Sequence, residues 1–583
     1  MKTVQTICCT LRLLSSAAAA ITPYMSATAV VLCASAVVLV ACDDENDPKT
    51  WVKRLDDPAQ RANAIKRLTQ FYEDDMTKAS NDTSNPQVKA LLDTIVEPLT
   101  KQYTAADLDD KTRTDLMKFL AETHDPRTQP AIAKALKNFE MGKTDDEVRV
   151  ACESTNAMAK AGVKLDQTLI DELWNVFAKF HLSKTTSQRL YQGLHDAVVT
   201  VHDPSYGDKA IEKLKAPVMP DNVDSQKDQI NWWQLTSVQV ISELRYTKAI
   251  HQLILVLLTP SKVDLNATVR MALLKMPKDS EPELIKALNG TDPEYAKAGE
   301  AYKDKANLAI VADVLGLISR SAGRDAILAA LPGADTDTTR VGFAQSLVQF
   351  PKMQSAEPAF MAVYKKLTWN SSVDFLGALK PRAALAQAAA NFYDPGLTDW
   401  LVKETATAPD ATSKLLPIDA ALKLMPAGKK GDVGAALTKV KSELPPEVFQ
   451  ASEQMLGFAA GVADKCGTNA GCYIGVLDEP IPTSPPTANL RAVKASWMAV
   501  IYGQGSADAT RAELLKRVEK IKDPSARLAL VEAIDQLAPN GDAAAATALE
   551  KIVATDQKGG DKNVLMADDA VVKVALRLRA RSL

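Results

Sequence analysis

Aromatic residues are scarce in this chain, which limits the kinds of core it can build. Phe, Trp and Tyr together make up 5% of the 583 residues although 46% are hydrophobic, so aliphatic side chains must supply most of the buried surface. That balance favours helices that pack closely through Ala, Leu and Val. A chain of this length exceeds what one hydrophobic core supports, so it must divide into domains or repeat modularly.

Strand patterns are also missing. No stretch shows sustained alternation of apolar and polar residues between hairpin turns. From Trp51 onward, apolar residues instead recur at helical spacing in runs separated by short segments rich in Pro, Gly and Asp. The sequence therefore predicts an all-α protein whose helices are joined by short loops.

Residues suited to catalysis or metal binding are few and dispersed. The sequence has no H-E-x-x-H, P-loop, G-x-S-x-G or dinucleotide-binding motif, so we predict that the protein is not an enzyme and takes no cofactor or metal. The five histidines are His124, His181, His195, His202 and His251. His195 and His202 lie beside Asp196 and Asp203, but a third ligand is missing, so a polar helix edge is favoured over a metal or acid/base site.

The chain also lacks an excess of charge of either sign. Its formal net charge is -3, so no overall field attracts nucleic acid or anionic lipid. Nucleic acid is therefore not an expected partner.

The N-terminus resembles a lipoprotein signal peptide. Lys2 and Arg12 precede an uncharged apolar run over residues 26–41, which is shorter than the ~20 residues that span a bilayer comfortably. The run ends in Leu39-Val40-Ala41-Cys42, which resembles the lipobox of bacterial lipoproteins. An ordinary cleaved signal and an uncleaved anchor are the alternatives.

The lipobox resemblance implies a location and an anchor. It implies cleavage after Ala41 and lipidation of Cys42, with residues 1–41 as the signal and 42–50 as a polar tether. The mature protein would then be held by its lipid at a membrane of the cell envelope, facing the periplasm or the exterior. The sequence leaves the leaflet open.

Six helix starts share an Asp followed by an Arg and then an Ala/Leu stripe. The pairs are Asp57 with Arg61, Asp109 with Arg113, Asp145 with Arg149, Asp264 with Arg270, Asp337 with Arg340, and Asp523 with Arg527. The Asp can cap the helix and the Arg lies within reach of an acidic neighbour. Two segments, 232–258 and 306–331, also have a helix–turn–helix pattern.

This signature resembles the first helix of HEAT or HEAT-like repeats. At about 40 to 47 residues per pair, the resemblance implies an α-solenoid (superhelix) of roughly a dozen antiparallel helix pairs over residues 51–463 and 488–583. Residues 183–215 match the repeat poorly, and Lys380-Pro381 and Leu416-Pro417 should kink or end helices. An irregular helical bundle is the alternative.

Residues 464–487 interrupt the repeats. Their Pro and Gly content predicts a long surface loop without regular helix. In an exported protein, Cys466 and Cys472 are expected to form a disulfide within it, since no His or further Cys lies nearby to complete a zinc site. Cys152 would remain a buried free thiol.

The predicted function is that of a membrane-anchored envelope scaffold or adaptor that binds another protein. We expect binding along an inner surface formed by the second helix of each pair, including Gln252, Lys365 and Lys366. Trp232 and Trp233 are either a partner-binding anchor or, as their size favours, core residues. The basic helix 571–583 is expected to cap the last repeat rather than bind membrane. The alternative is an enzyme or polymer-binding envelope protein with carboxylates dispersed over several repeats.

Overall fold

The computed structural model describes residues 44–185, 187–217, 224–352, 356–482, 484–560 and 562–583. Within these ranges the chain contains helices and no strand, and no helix combines the length and apolar character needed to cross a membrane. The chain divides into two compact units, residues 1–134 and 135–583. The predicted all-α, α-solenoid fold class is confirmed.

The first unit contains four helices and most of a fifth: α1 (Pro48–Arg54), α2 (Arg61–Lys78), α3 (Pro86–Ala105), α4 (Asp110–Thr123) and α5 (Gln129–Lys137). The second unit continues with α6 (Asp145–Lys160), α7 (Gln167–Lys179), α8 (Gln188–Thr200), α9 (Tyr206–Lys215), α10 (Asp224–Leu244), α11 (Ile250–Leu257), α12 (Asn266–Lys275), α13 (Pro277–Asn289), α14 (Pro293–Gly299), α15 (Ala306–Ile318), α16 (Ser321–Ala330), α17 (Asp337–Leu347) and α18 (Glu357–Lys366). It ends with α19 (Pro381–Ala388), α20 (Thr398–Thr407), α21 (Ala411–Leu424), α22 (Lys430–Lys439), α23 (Pro446–Cys466), α24 (Ala470–Val476), α25 (Leu490–Gly503), α26 (Ala507–Val518), α27 (Pro524–Gln536), α28 (Ala543–Gly559) and α29 (Lys562–Arg581).

The second unit is built by stacking alternate helices. Each first helix of a pair packs on the first helix of the next pair, in the order α6, α8, α10, α12, α15, α17, α19, α21, α25, α27 and α29. We call this set the first-helix stack. A single apolar core runs through its later part, from Val341 to Leu578. At Gly342 a side chain is impossible without movement, because a Cβ there would lie 2.2 Å from the Cβ of Ala309 where α15 meets α17.

The last helix returns to the middle of the unit. α29 contacts α12 and α15 as well as α27, so the first-helix stack from α12 to α29 closes on itself. Arg577 of α29 donates from Nη1 to the carbonyl oxygens of Gly316 and Leu317 at the end of α15, at 3.1 and 3.0 Å. The basic C-terminal helix therefore closes the array instead of only capping its last pair.

This closure corrects the predicted inner surface. The most completely buried helices are first helices such as α15, α25 and α27, whereas the second helix α16 buries only Gly323 and Ile327. The first helices, not the second ones, therefore form the inner set in this part of the unit.

Three local expectations are wrong. Residues 464–476 are largely helical, since α23 continues to Cys466 and α24 begins at Ala470 with Asn469 as its cap. Pro381 starts α19 at a position where its missing N–H costs nothing, and α21 continues through Pro417. Residues 183–215, which match the repeat poorly, contain the two helices α8 and α9, and α9 packs on α10.

Only some of the Asp–Arg pairs cap a helix as predicted and reach an acidic neighbour on another helix. Asp109 and Asp523 cap α4 and α27 by accepting hydrogen bonds from backbone amides. In α17 the cap is Thr336, one residue before Asp337. Arg270 reaches an acid on another helix, whereas Arg340 pairs with Asp337 of its own helix.

Candidate protein-binding groove

The candidate site is a cavity of about 500 Å³ between the N-terminal halves of α12, α15 and α17. The floor of the cavity is apolar. It is formed by Ala306, Ala309 and Ile310, which lie within about one turn of α15, and by Gly342 of α17. We call this cavity and its rim the groove. Its volume falls within the range of about 300–1,000 Å³ that is typical of binding pockets.

Apolar side chains are unusually exposed at the rim of the groove. Val263 is 57% exposed and Phe375 is 48% exposed, and both line the cavity. Leu379, which is 40% exposed, follows four residues after Phe375. In the described ranges the exposed large hydrophobic residues are Val263, Phe375, Leu379, Leu528, Met566 and Leu583. Two of these six, Val263 and Phe375, line one cavity, which is a pattern expected of an interaction surface.

The charged residues of the groove differ in how they are paired. Arg270 on α12 forms an ion pair of 2.5 Å with Asp313 on α15, whose other oxygen accepts a hydrogen bond of 2.8 Å from Gln349. Asp304 and Asp374 also line the cavity, are exposed, and form no ion pair with any described residue. The groove thus has a neutralised wall and two unpaired carboxylates at its rim.

The rim segment before α15 is held in an unusual conformation. Asp304 and Lys305 have φ angles of 51° and 57°, in the left-handed region that non-glycine residues rarely adopt. Thr336 donates a hydrogen bond of 2.9 Å to the backbone oxygen of Asp304, and Lys305 pairs with Asp335 at 2.7 Å. These contacts with the segment before α17 hold the backbone of Asp304 beside the cavity.

Polar side chains connect neighbouring first helices beyond the groove. Lys275 pairs with Glu243 at 2.6 Å, joining α12 to α10. Gln387 of α19 donates to Asp419 of α21 at 3.1 Å, and Asp419 pairs with Lys423 at 2.9 Å. Arg270 and Asp313 belong to the same series, so these contacts hold successive first helices in register.

Glu532 on α27 and Lys573 on α29 are an exposed acid and an exposed base with opposed pKa shifts. Burial raises the pKa of Glu532 despite the opposing charges of Lys573 and Lys423. Burial and the neighbouring Arg577 lower the pKa of Lys573. Both side chains nevertheless keep water-accessible surface, so they are reachable from solvent.

The two neighbouring tryptophans have different environments. Trp232 is 8% exposed and packs on the rings of Phe177 and Phe180 at 5.1 and 5.2 Å, as a core residue does. Trp233 is half-buried, donates from Nε1 to the Phe177 oxygen at 2.8 Å and carries the Lys213 ammonium 4.1 Å from its ring centre. Trp233 lines a second, apolar cavity together with Trp174 and Pro217.

The remaining predicted binding residues do not form one site. Gln252 on α11 is half-buried, whereas Lys365 and Lys366 on α18 are exposed. None of the three lines the groove. Their role in binding stays a prediction.

The histidine, cysteine and lipidation predictions have different outcomes. His195 contacts Asp196 at 3.0 Å and Gln239, while His202 lies 4.0 Å from Glu243, and within the described part of the chain no three potential ligands converge on a metal position. Cys152 is a buried free cysteine whose pKa is raised by burial. Cys42 lies outside the described residues.

Cys466 and Cys472 are joined by a disulfide with a Cα–Cα distance of 5.3 Å. It connects the end of α23 to α24 across the turn at Gly467, where φ is 55°. The bridge therefore fixes a helix–helix turn, not a long loop.

Sequence reasoning missed the groove entirely. Val263 and Phe375 lie in short connecting segments with no helical periodicity, where an exposed apolar residue cannot be distinguished from one that tucks into the core. The one usable signal is Phe375 itself, an aromatic residue that follows the polar run Asn370-Ser371-Ser372.

No family model matches the chain, and no curated protein matches it. Among solved structures it is similar to importin beta crystallised in an ammonium sulfate condition, with 11% identity over 92% of this chain and 74% of that chain, and a TM-score of 0.33. It is also similar to a homology model of the full-length AP-3 complex in an intermediate open conformation, with 13% identity over 98% of this chain and 89% of that chain, and a TM-score of 0.25. At these scores neither likeness carries an argument about this protein.

Proposed function

We propose that the protein is a membrane-tethered scaffold of the bacterial cell envelope that holds another protein, and that the groove is a principal contact. The observation that carries this proposal is the exposure of Val263 and Phe375 at one cavity, with exposed Leu379 four residues after Phe375. Apolar side chains at a rigid cavity bind partners at low entropic cost, because little ordering remains to be done on association.

The tether rests on the sequence Leu39-Val40-Ala41-Cys42 and the apolar run before it. Changing Cys42 to Ser should abolish lipidation and release the protein from membranes or block its processing. Fractionation with mass spectrometry of the N-terminal peptide measures this. A variant that stays in the membrane fraction with an unchanged mass would rule out the lipid anchor.

Partner binding can be tested by site-specific photocrosslinking in the native cells. A photoreactive amino acid at position 375 should give a discrete crosslinked product that mass spectrometry identifies as an envelope protein. The same amino acid at Lys365, an exposed position on α18, is the matched control. Products from position 365 alone would instead favour the second helices as the binding surface.

The alternative is an enzyme or polymer-binding protein with dispersed carboxylates, and one observation favours it. Glu532 of α27 and Lys573 of α29 are exposed, and their pKa values are shifted towards each other, a feature enriched at active sites. Turnover or binding of an envelope polymer by the mature protein, lost in Glu532→Gln and kept in Phe375→Ala, would support it.

A further inference from the structure

We propose that the groove receives a basic side chain, Lys or Arg, from the partner protein. The aliphatic stem would lie on the floor formed by Ala309, Ile310 and Gly342, and the charged end would lie between Asp304 and Asp374. This inference rests on the proposed function and adds the chemistry by which the partner is recognised.

The shape and polarity of the groove suit a side chain that is apolar along its length and charged at its tip. The floor is aliphatic, while the unpaired carboxylates stand at the rim with Phe375 and Val263. Lys and Arg bury their methylene stems against apolar surface and keep their charged ends near water. A purely aliphatic partner would fill the floor but leave the rim carboxylates without a counter-ion.

The charges that line the groove also favour a cation. Arg270 and Asp313 neutralise each other, and Lys303 supplies one positive charge against the negative charges of Asp304 and Asp374. One negative charge therefore remains in excess. The ring of Phe375 adds an attractive face for an ammonium or guanidinium group.

The backbone that carries Asp304 is held in place before a partner arrives. It is fixed by the Thr336 hydrogen bond to the Asp304 carbonyl oxygen and by the neighbouring Lys305–Asp335 pair. Holding two consecutive non-glycine residues in the left-handed region costs free energy. Folds tolerate this cost where the strained backbone sets the position of a functional group.

The test uses the mature chain from residue 42, with Cys42→Ser to keep it soluble, and three labelled pentapeptides. The peptides have blocked ends and the sequence Gly-Leu-X-Leu-Gly, in which X is Lys, norleucine or Glu. Norleucine matches the aliphatic stem of Lys without its charge. Fluorescence anisotropy at low ionic strength gives the three affinities.

We expect the Lys peptide to bind roughly fivefold more tightly than the norleucine peptide, as partly exposed charge pairs usually contribute, and the Glu peptide to bind most weakly. Asp304→Asn with Asp374→Asn should remove the preference for Lys, and Lys303→Gln should increase it. Phe375→Ala should weaken both the Lys and the norleucine peptides, and the Lys peptide more, because its ammonium also loses the face of the ring. Asp74→Asn, at an exposed acid in the first unit, is the control and should change nothing.

The inference is overturned if norleucine binds as tightly as Lys, if the Asn double variant keeps the preference, or if none of the peptides binds. Its failure can be told apart from failure of the proposed function. If position 375 still crosslinks to an envelope protein while the peptides show no charge preference, the scaffold stands and the basic side chain does not. If the peptides behave as expected but position 375 gives no crosslink in cells, the groove chemistry stands and the scaffold does not.

Discussion

Asp535 is expected to hold the closed arrangement of the second unit together. It lies on α27 at 4% exposure and accepts a hydrogen bond from Arg577 Nε at 3.0 Å and from Arg581 Nη2 at 2.7 Å. Arg577 and Arg581 are 5% and 9% exposed, and they also contact Gly316, Leu317 and Ser319 at the end of α15. Changing Asp535 to Asn would leave two buried guanidinium groups without their counter-charge.

The expected cost is large because the remaining charges stay buried. Removing one member of a buried ion pair typically costs about 3–5 kcal/mol. If that cost falls on the opening of α29, amide exchange in α29 and at the end of α15 should accelerate by roughly 10² to 10³·⁵. Hydrogen exchange with peptide-level mass spectrometry measures this locally, which is preferable to a melting temperature because long repeat arrays are not two-state.

A matched control lies on the same helix. Arg579 pairs with Glu550 at 2.7 Å, but the two side chains are 33% and 43% exposed, so Glu550→Gln should cost less than about 1 kcal/mol. Equal acceleration by Asp535→Asn and Glu550→Gln would refute the idea that the cluster closes the stack.

The same cluster predicts an acid-sensitive step. Burial acts to raise the pKa of Asp535, but the charges of Arg577 and Arg581 outweigh it and hold the pKa below its usual value. A carboxyl whose pKa is depressed by folding stabilises the fold above its unfolded pKa of about 3.9, and that stability is lost as the pH falls through the folded pKa. The protection of α29 amides in the wild-type protein, corrected for the intrinsic exchange rate at each pH, should therefore fall only below about pH 4, and Asp535→Asn should lack this step.

Two further predictions concern buried groups. Alkylation of the denatured, unreduced mature protein should label Cys152 alone, because Cys466 and Cys472 form a disulfide; labelling of all three thiols by mass spectrometry would show that the bridge is absent. Lys494→Met should cost at least about 3 kcal/mol and speed amide exchange at the end of α21, since it leaves the carbonyl oxygens of Leu422, Lys423 and Met425 without their donor. Lys430→Met, at an exposed position, is the control and should change stability by less than about 0.5 kcal/mol.

Local features were predictable from the sequence where local interactions decide them. The turn after α10 lies at Arg245, whose φ is 48°, as the pattern around residues 245–247 predicts. Asp109 and Asp523 cap their helices because an Asp side chain reaches amides only two or three residues away. The helix content and the pairing of consecutive helices follow from the same short-range rules.

The segment 464–476 shows how composition misleads. The Pro and Gly content of residues 464–487 suggested a loop, yet within 464–476 only Gly467 adopts a positive φ, at the end of α23, and Asn469 caps α24 two residues later. Helix propensity is a weak preference that tertiary packing overrides, and Tyr473 of α24 is completely buried. Sequence patterns alone could not weigh that burial.

Contacts between distant repeats could not be predicted, and they share one physical basis. The C-terminal carbonyl groups of a helix lack intrahelical donors, and the helix dipole makes that end attractive to cations. In this protein, Lys and Arg side chains from elsewhere in the chain donate hydrogen bonds to these carbonyl groups. Lys494 donates to the end of α21, Arg577 to the end of α15, Lys262 to Leu214 of α9, and Lys134 to the end of α3.

The arginines of α29 show why such a contact could not be predicted from the sequence. Three Arg near the end of a helix suggest that they stabilise the dipole of that helix. Arg577 instead serves a helix end some 260 residues earlier, and Arg579 pairs with Glu550 on the preceding helix. A cation in a repeat array can stabilise whichever helix terminus the stack brings next to it. The helix terminus that a given cation reaches depends on how the array closes. The charge pattern therefore indicates that helix ends will be capped, but it does not indicate which helix end each cation will cap.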